Sequence, residues 1–287
     1  MNAPDFIIMG AMKSATSSLH VQLAAQPNIF MSTPKEPNYF SDTEQFAKGE
    51  KWYSSLFDGA NGRLAGESST HYTKLPTYPE TAQRIFEALP EVRLIYVMRH
   101  PVDRLVSHYI HEWTMRNISC SLEDAVKKHN ELIDYGLYAY QLKPYIDLFG
   151  KQKILPVFFS ALKANPHTEF EKISNFLGAN IAYMDSIEPQ NQSSLRLREF
   201  PGKNLLLESP LFVKLRQLFV PRGVKDILKR HLSMQERPAI PETLRASLET
   251  TFNKDLAKLS RDFGAELTCA TFDSETRSGE LSWQLET

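Results

Sequence analysis

The sequence has little of what usually decides a function quickly. Among 287 residues there are two cysteines, Cys120 and Cys269, far apart and in no metal-ligand spacing. They read as free thiols, which points to a reducing compartment. No apolar run approaches the ~18 residues of a membrane span. The start of the chain, MNAPDFIIMGAMKS, lacks the basic stretch and long apolar core of a leader peptide. Charge of one sign is missing too: the formal net charge is −1. Bulk charge therefore favours neither nucleic acid nor an anionic membrane, and an anionic ligand must be met by a local basic pocket. There is no internal repeat and no low-complexity segment. The expectation is a cytoplasmic chain with no membrane span and no nucleic-acid partner.

What is present is a set of short apolar runs. Phe6–Met9, Leu94–Met98 and Ile154–Phe159 are continuous rather than alternating, as suits strands covered on both faces of a parallel sheet. Asn28–Met31 and Arg63–Gly66 are shorter candidates. Helical patterns lie between them at Ser17–Ala25, Pro79–Leu89, Val102–Arg116 and from Pro166 to Leu177, the last stopped by Gly178. Ser121 reads as an N-cap before Glu123 and Asp124. The texture changes after residue 190. Asn191–Pro201 is polar and basic, Leu205–Leu232 mixes apolar and basic pieces, and Pro241–Phe263 reads as a long amphipathic helix before Gly264. The tail from Thr268 reads as loosely ordered. The fold expectation is α/β, with a mostly parallel sheet flanked by helices and a C-terminal helical portion. We expect one domain over 1–287, with an α/β core over about 5–190 and a lid and helical portion over about 191–267.

Two segments carry chemistry. After the first strand, Gly10-Ala11-Met12-Lys13-Ser14-Ala15-Thr16-Ser17-Ser18 is a turn of small residues with one lysine, opening a helix through hydroxyls. Unpaired N–H groups and the dipole at a helix start favour an anion, and Lys13 adds positive charge. This is not a Walker A motif, which ends GK[ST]; here the lysine follows Gly10 by three residues. The second segment delivers Arg99 at the carboxyl end of a buried strand, where open α/β sheets bind ligands. Pro101 then starts a helix that carries Ser107 about two turns in. Arginine plus a hydroxyl suits a second phosphate. The structural alternative is an Arg99–Asp103 ion pair. A magnesium-dependent kinase would instead place an aspartate on such a strand.

These residues resemble the sulfotransferases that use 3′-phosphoadenosine 5′-phosphosulfate (PAPS), in particular the branch of the Golgi heparan sulfate sulfotransferases and their bacterial relatives. Lys13-Ser14-Ala15-Thr16-Ser17-Ser18-Leu19 is similar to that family's KxGTTxL loop. The run from Arg99 to Tyr109 is similar to its RxPxxRxxSxY motif, and Pro34-Lys35-Glu36-Pro37-Asn38-Tyr39-Phe40 to its K-E-x-x-[FY]-F segment. Trp52–Phe57, Gly66–Tyr72, Gly136-Leu137-Tyr138 and Phe176-Leu177-Gly178 match further landmarks. Ala15 stands where the family has glycine and Ser68 where several members have a second lysine. Those two departures, and a missing basic glycine lid, turn the expectation away from a heparan acceptor.

The resemblance implies a P-loop-like three-layer fold around a five-stranded sheet. It also implies transfer of a sulfuryl group from PAPS to a hydroxyl or amine of an acceptor that the sequence does not name, leaving PAP (3′-phosphoadenosine 5′-phosphate), with no metal required. Glu36 would be the general base, with His71 as the alternative, and Lys13 would offset charge on the leaving group. Ser14, Ala15, Thr16, Ser17 and Ser18 would hold the 5′-phosphate, and Arg99 and Ser107 the 3′-phosphate. Arg196, Arg198 or Lys203 would close over the nucleotide, with Arg198 expected to bind it. His108 and His111, at i and i+3, read as structural rather than metal ligands. Glu36 beside Lys35 also reads as a plain ion pair. Tyr39, Phe40, Trp52 and Tyr53 line an acceptor cleft or, more in keeping with aromatics generally, fill the core. Two other functions compete: a P-loop kinase, and a non-catalytic PAP-binding module on the same scaffold.

Overall fold

The computed structural model describes residues 2–187 and 237–284. Its centre is a sheet of five parallel strands, β1 (Phe6–Gly10), β2 (Ile29–Met31), β3 (Leu64–Ser68), β4 (Arg93–Met98) and β5 (Ile154–Phe158), in the order β2-β3-β1-β4-β5. Successive side chains of a strand point to opposite faces. On β1 this sends Ile7 and Met9 into one core and Phe6 and Ile8 into another. Both faces are covered, which is why the runs are apolar throughout rather than alternating.

One face is covered by α1 (Thr16–Ala24), through Leu19 and Leu23. The connection to β3 holds two short helices, α2 (Thr43–Phe46) and α3 (Gly49–Ser55). On the opposite face lie α4 (Thr81–Ala88) and α5 (Pro101–Thr114), followed by α6 (Leu122–Lys128), α7 (Glu131–Asp134) and α8 (Tyr138–Phe149). After β5 come α9 (Phe159–Ala164) and α10 (Pro166–Leu177); α10 joins α1 through Phe170, Ile173 and Leu177. Gly178 ends α10 in the left-handed conformation and Gly264 does the same for α11 (Glu242–Phe263), the role glycine fills without a Cβ clash. Ser121 caps α6, accepting from the Asp124 N–H at 3.2 Å.

Two expectations need correction. The helix read from Pro79 begins at Thr81, so Pro79 precedes it. The tail is not loose. A short helix, α12 (Phe272–Thr276), buries Phe272 completely against the rings of Tyr138 and Phe158. Trp283 stacks on Phe263 at 4.4 Å and donates to the Ile154 carbonyl at 2.6 Å. Leu267, Cys269, Phe272 and Trp283 follow no helical or strand period, so their spacing gave no sign that each enters the core. The segment 191–236, with its basic candidates Arg196, Arg198 and Lys203, lies outside the described residues.

The long α11 docks on α8 through one buried carboxylate. Asp255 accepts from the N–H groups of Ala139 and Tyr140 at 2.8 and 3.0 Å, capping a helix whose own N-cap residue, Leu137, has no capping side chain. Burial pushes the Asp255 carboxyl up, and these two N–H donors pull against it. Asp255→Ala is expected to destabilise the fold by about 2–3 kcal/mol, because two buried donors lose a charged acceptor. Asp255→Asn should lose less, since its amide oxygen still accepts. Urea unfolding of both variants checks this, and equal losses would remove the capping explanation.

Candidate active site

β1 lies between β3 and β4, so the turns that follow these three strands meet at one edge. The end of β1 has no room for a side chain at Gly10. A Cβ there would fall 2.0 Å from the Thr73 hydroxyl, which donates to the Met9 carbonyl at 2.8 Å. Beyond Gly10, Lys13 and Ala15 both take positive φ, 70° and 72°. For a non-glycine residue this costs roughly 1–2 kcal/mol, so the turn is held by its surroundings against local preference. Ala15 precedes α1 and makes no side-chain cap. The N–H groups at the start of a helix are not used within it, and those that open α1 form an anion-attracting end. The Ser14 N–H is used within the turn, donating to Ala11 at 3.2 Å, and Ser14 is fully buried.

Arg99 leaves the end of β4 and reaches across to this turn, donating from Nη1 to the Lys13 carbonyl at 3.3 Å. Its backbone is gripped by Tyr138: the Arg99 N–H donates to the phenol at 3.2 Å, and the phenol donates to the Arg99 carbonyl at 2.5 Å. The guanidinium lies over the Phe159 ring, 4.7 Å from its centroid. Asp103 accepts instead from Arg237 at 2.5 Å, so among the described residues the Arg99–Asp103 pair is not formed. Burial lowers the Arg99 pKa, with Asp103 opposing. Ser107 sits on the buried side of α5. Arg104, the second arginine of that motif, is fully buried, donates to the Leu132 carbonyl and packs against Gly136. Its work is to hold the turn before Tyr138.

Glu36 comes to the same edge from the loop after β2. Thr70, just beyond β3, donates to its Oε2 at 3.1 Å, and Lys35 Nζ lies 2.7 Å from its Oε1. The plain ion pair allowed by the sequence is therefore present, 28% and 33% exposed at its two side chains, and it belongs to the same cluster. Burial pushes the Glu36 carboxyl up, but Lys35, the Thr70 hydroxyl and His71 outweigh it and hold the group below the usual carboxylate range. His71 and His20 flank Glu36. Burial brings each imidazole down to about 4, helped by Lys74 for His71 and by Lys35 for His20, with Glu36 opposing both. At neutral pH Glu36 is ionised and His71 is neutral, so each is able to accept a proton.

This edge collects a lysine-bearing turn that opens a helix, an arginine bonded to that turn and a carboxylate held by Thr70. A model of the sulfotransferase domain matches residues 3–234. The chain belongs to the sulfotransferase family. The sulfotransferase is similar to a solved sulfotransferase from Alicyclobacillus acidocaldarius, with 25% identity and a TM-score of 0.67, covering 93% of this chain and 98% of that one. It is 36% identical over 126 residues to the membrane-associated sulfotransferase kil1 of Dictyostelium discoideum, covering 42% of this chain and 26% of that protein. It is 30% identical over 190 residues to the mouse heparan sulfate glucosamine 3-O-sulfotransferase 3B1, covering 61% of this chain and 46% of that protein. The matches thus span less than half the length of these curated relatives. Among the described residues no helix is long and apolar enough to cross a membrane.

Several predicted residues turn out to be structural. His108 is buried, pairs with Glu112 at 3.4 Å and stacks on Tyr135. Tyr39, Phe40 and Tyr53 are core, with Tyr39 and Tyr53 stacked at 4.5 Å. Two residues near Glu36 were missed. Lys74 is 9% exposed, and burial brings its ammonium down to about 8, with Glu36 and Glu112 opposing. The chain beside it is pinned by Gln141, which accepts from the Leu75 N–H at 2.8 Å and donates to the Leu75 carbonyl at 2.9 Å. No sequence motif marked Lys74. Glu67 was legible only as part of the Gly66–Tyr72 landmark.

The neutral histidines set a pH dependence. A histidine near 6.5 unfolded and near 4 folded binds its proton first in the unfolded state, so stability falls as pH drops from 6.5 toward 4. His71→Gln should remove its share of that fall. Urea midpoints for wild type and variant at pH 7 and pH 4.5 test this. A wild type-minus-variant difference that does not change with pH would contradict it.

Proposed function

We propose that this sulfotransferase moves a sulfuryl group from PAPS to a hydroxyl or amine, with Glu36 as the general base. The observation that supports this reading is the hydrogen bond from Arg99 to the Lys13 carbonyl, which joins the two segments proposed to bind the anionic groups, while Thr70, after the neighbouring strand β3, holds the Glu36 carboxylate. A donor with a phosphosulfate at one end and a phosphate at the other needs two such segments. The N–H groups at the start of α1, together with the hydroxyls of Thr16, Ser17 and Ser18, hold the 5′-phosphate as a preorganised electrostatic site. Arg99 and Ser107 take the 3′-phosphate by charge-assisted and neutral hydrogen bonds.

In the transfer step the acceptor's O–H or N–H proton passes to a Glu36 carboxylate oxygen as the acceptor atom bonds to sulfur. The bond from sulfur to the bridging oxygen of the 5′-phosphate breaks, and its electron pair stays on that oxygen. Lys13 offsets the charge that develops there. Glu36 is preferred to His71 as base because it is already a carboxylate held by Thr70 and Lys35, whereas His71 is packed against Tyr78 with a ring-centroid distance of 5.1 Å. No step here calls on a metal ion. The acceptor class is open among glycans, lipids and small hydroxyl or amine compounds. A cytosolic setting is part of the proposal and rests on the free thiols Cys120 and Cys269. The closing role of Arg198 and the division into core and lid are carried as part of it.

Two measurements test this reading. With labelled PAPS and a mixed set of hydroxyl and amine acceptors, Glu36→Gln should lower turnover roughly 10²–10⁴-fold while PAP affinity barely changes. Intact turnover in that variant, beside its loss in His71→Ala, would transfer the base role to His71. Calorimetry without added metal should show Arg99→Ala weakening PAP by about 1.5–3 kcal/mol, with little effect on adenosine 5′-phosphosulfate, which lacks the 3′-phosphate. Equal losses for both nucleotides would withdraw the Arg99 assignment, and PAP binding only with magnesium would favour the kinase reading.

A further inference from the structure

We propose that Glu67 is a positioning residue for the Glu36 carboxylate, acting through both the loop that carries Glu36 and the threonine that holds it. This rests on Glu36 being the base. Glu67 ends β3 and is fully buried. Its hydrogen-bond partners are three hydroxyls. Tyr53 and Tyr72 donate to Oε1 at 2.6 and 2.9 Å, and Ser69 donates to Oε2 at 2.7 Å. A buried carboxylate met by neutral donors is an expensive way to fill a core, so what those donors reach is informative.

Both limbs of the network end beside Glu36. Ser69, while donating to Glu67, accepts from the Asn38 N–H at 3.1 Å. Asn38 sits two residues beyond Glu36 in a left-handed conformation, φ 50°, which a fixed hydrogen bond helps to hold. Ser69 also precedes Thr70, whose hydroxyl donates to Glu36. On the other limb, Tyr53 hangs from Oε1 and stacks on Tyr39 at 4.5 Å, with an interplanar angle of 13°. Residues 38, 39 and 70 thus bracket Glu36, and all three are tied to one carboxylate. An ionised Glu67 accepts the Ser69 hydrogen and leaves the Ser69 oxygen free to accept from Asn38. A neutral Glu67 competes for that oxygen with its own proton.

The two protonation states are both within reach. Burial raises the Glu67 carboxyl to about 7, with its three hydroxyl partners pulling down and Glu36 pushing up. The other groups around Glu36 titrate elsewhere: His20 and His71 near 4, Lys74 near 8, while Lys35 is paired with Glu36. A rising limb of turnover near pH 7 that is lost in Glu67→Gln is therefore the signature of Glu67.

The test uses the full chain with labelled PAPS and the mixed acceptors. Glu67→Gln should lower kcat about 10- to 100-fold, the scale of a misplaced reacting group, with KM for PAPS and PAP affinity within about twofold and the limb near pH 7 flattened. Ser69→Ala, which removes only the relay to Asn38, should lose part of the same kcat, and Ser69→Thr should restore it. In a Glu36→Gln background, Glu67→Gln should add no further loss, because residues that act as a unit are not additive. If Glu67→Gln cannot be obtained folded, as judged by PAP binding, the Ser69 pair and Ser69→Ala in the Glu36→Gln background carry the same test. Wild-type kcat in Ser69→Ala or in folded Glu67→Gln, beside a crippled Glu36→Gln, overturns the inference alone, as does full multiplication of the losses. Full turnover in Glu36→Gln overturns the base assignment and this inference with it.

Discussion

The hydrogen bond from the Arg99 guanidinium to the Lys13 carbonyl ties together turns that are 86 residues apart in the chain, and the rest of the site is arranged around it. It is possible because β1 pairs with β4 on one side and β3 on the other, all parallel. Parallel strands bring their carboxyl ends, and so the turns that follow them, to one edge of the sheet. Each turn then contributes different groups: Lys13 and helix N–H groups after β1, Thr70 and His71 after β3, Arg99 after β4. The backbone grip of Tyr138 on Arg99 comes from the opposite layer. Through α8 and Asp255 it links the site to α11.

The electrostatics of this edge follow from partial burial. Lys35 is paired here with Glu36. Burial keeps His20 and His71 neutral and holds Lys74 near 8, so the charge available at neutral pH sits on lysine and arginine. Glu36 stays ionised among these groups because the charge of Lys35 and the hydroxyl of Thr70 outweigh its desolvation. Glu67, fully buried and near the charge of Glu36, goes the other way against the pull of its three hydroxyl partners. The two carboxyl groups are thus driven apart in acidity, Glu67 upward by its burial and by the charge of Glu36, and Glu36 downward chiefly by Lys35.

Much of the architecture was legible because its signals are local. Three continuous apolar runs and two shorter candidates became five strands, since a strand covered on both faces is mostly apolar along its length. Pro101, Pro166, Gly178 and Gly264 marked helix ends through fixed φ or a left-handed φ. The tail was misread because Phe272 and Trp283 are held by contacts with distant rings rather than by a period. Lys74 was missed for a related reason. Lys74 lies over the Tyr135 ring and the chain beside it is held by Gln141, both more than 60 residues away, and a lysine in a polar stretch looks solvated until such partners are known.

The sequence by itself determined the residue types and their order along the chain: a lysine turn after the first strand, an arginine at the end of a later one, a glutamate between them, and a resemblance strong enough to name a family. That information resides in strand period, turn chemistry and motif spacing, all of which act over a few residues. Only the tertiary structure decided that Arg99 bonds to the Lys13 turn rather than to Asp103, that both histidines beside Glu36 are neutral, and that Glu67 connects with the loop carrying Glu36. Those outcomes depend on desolvation and on hydrogen bonds between segments brought together by strand order, and neither quantity exists until the sheet has formed.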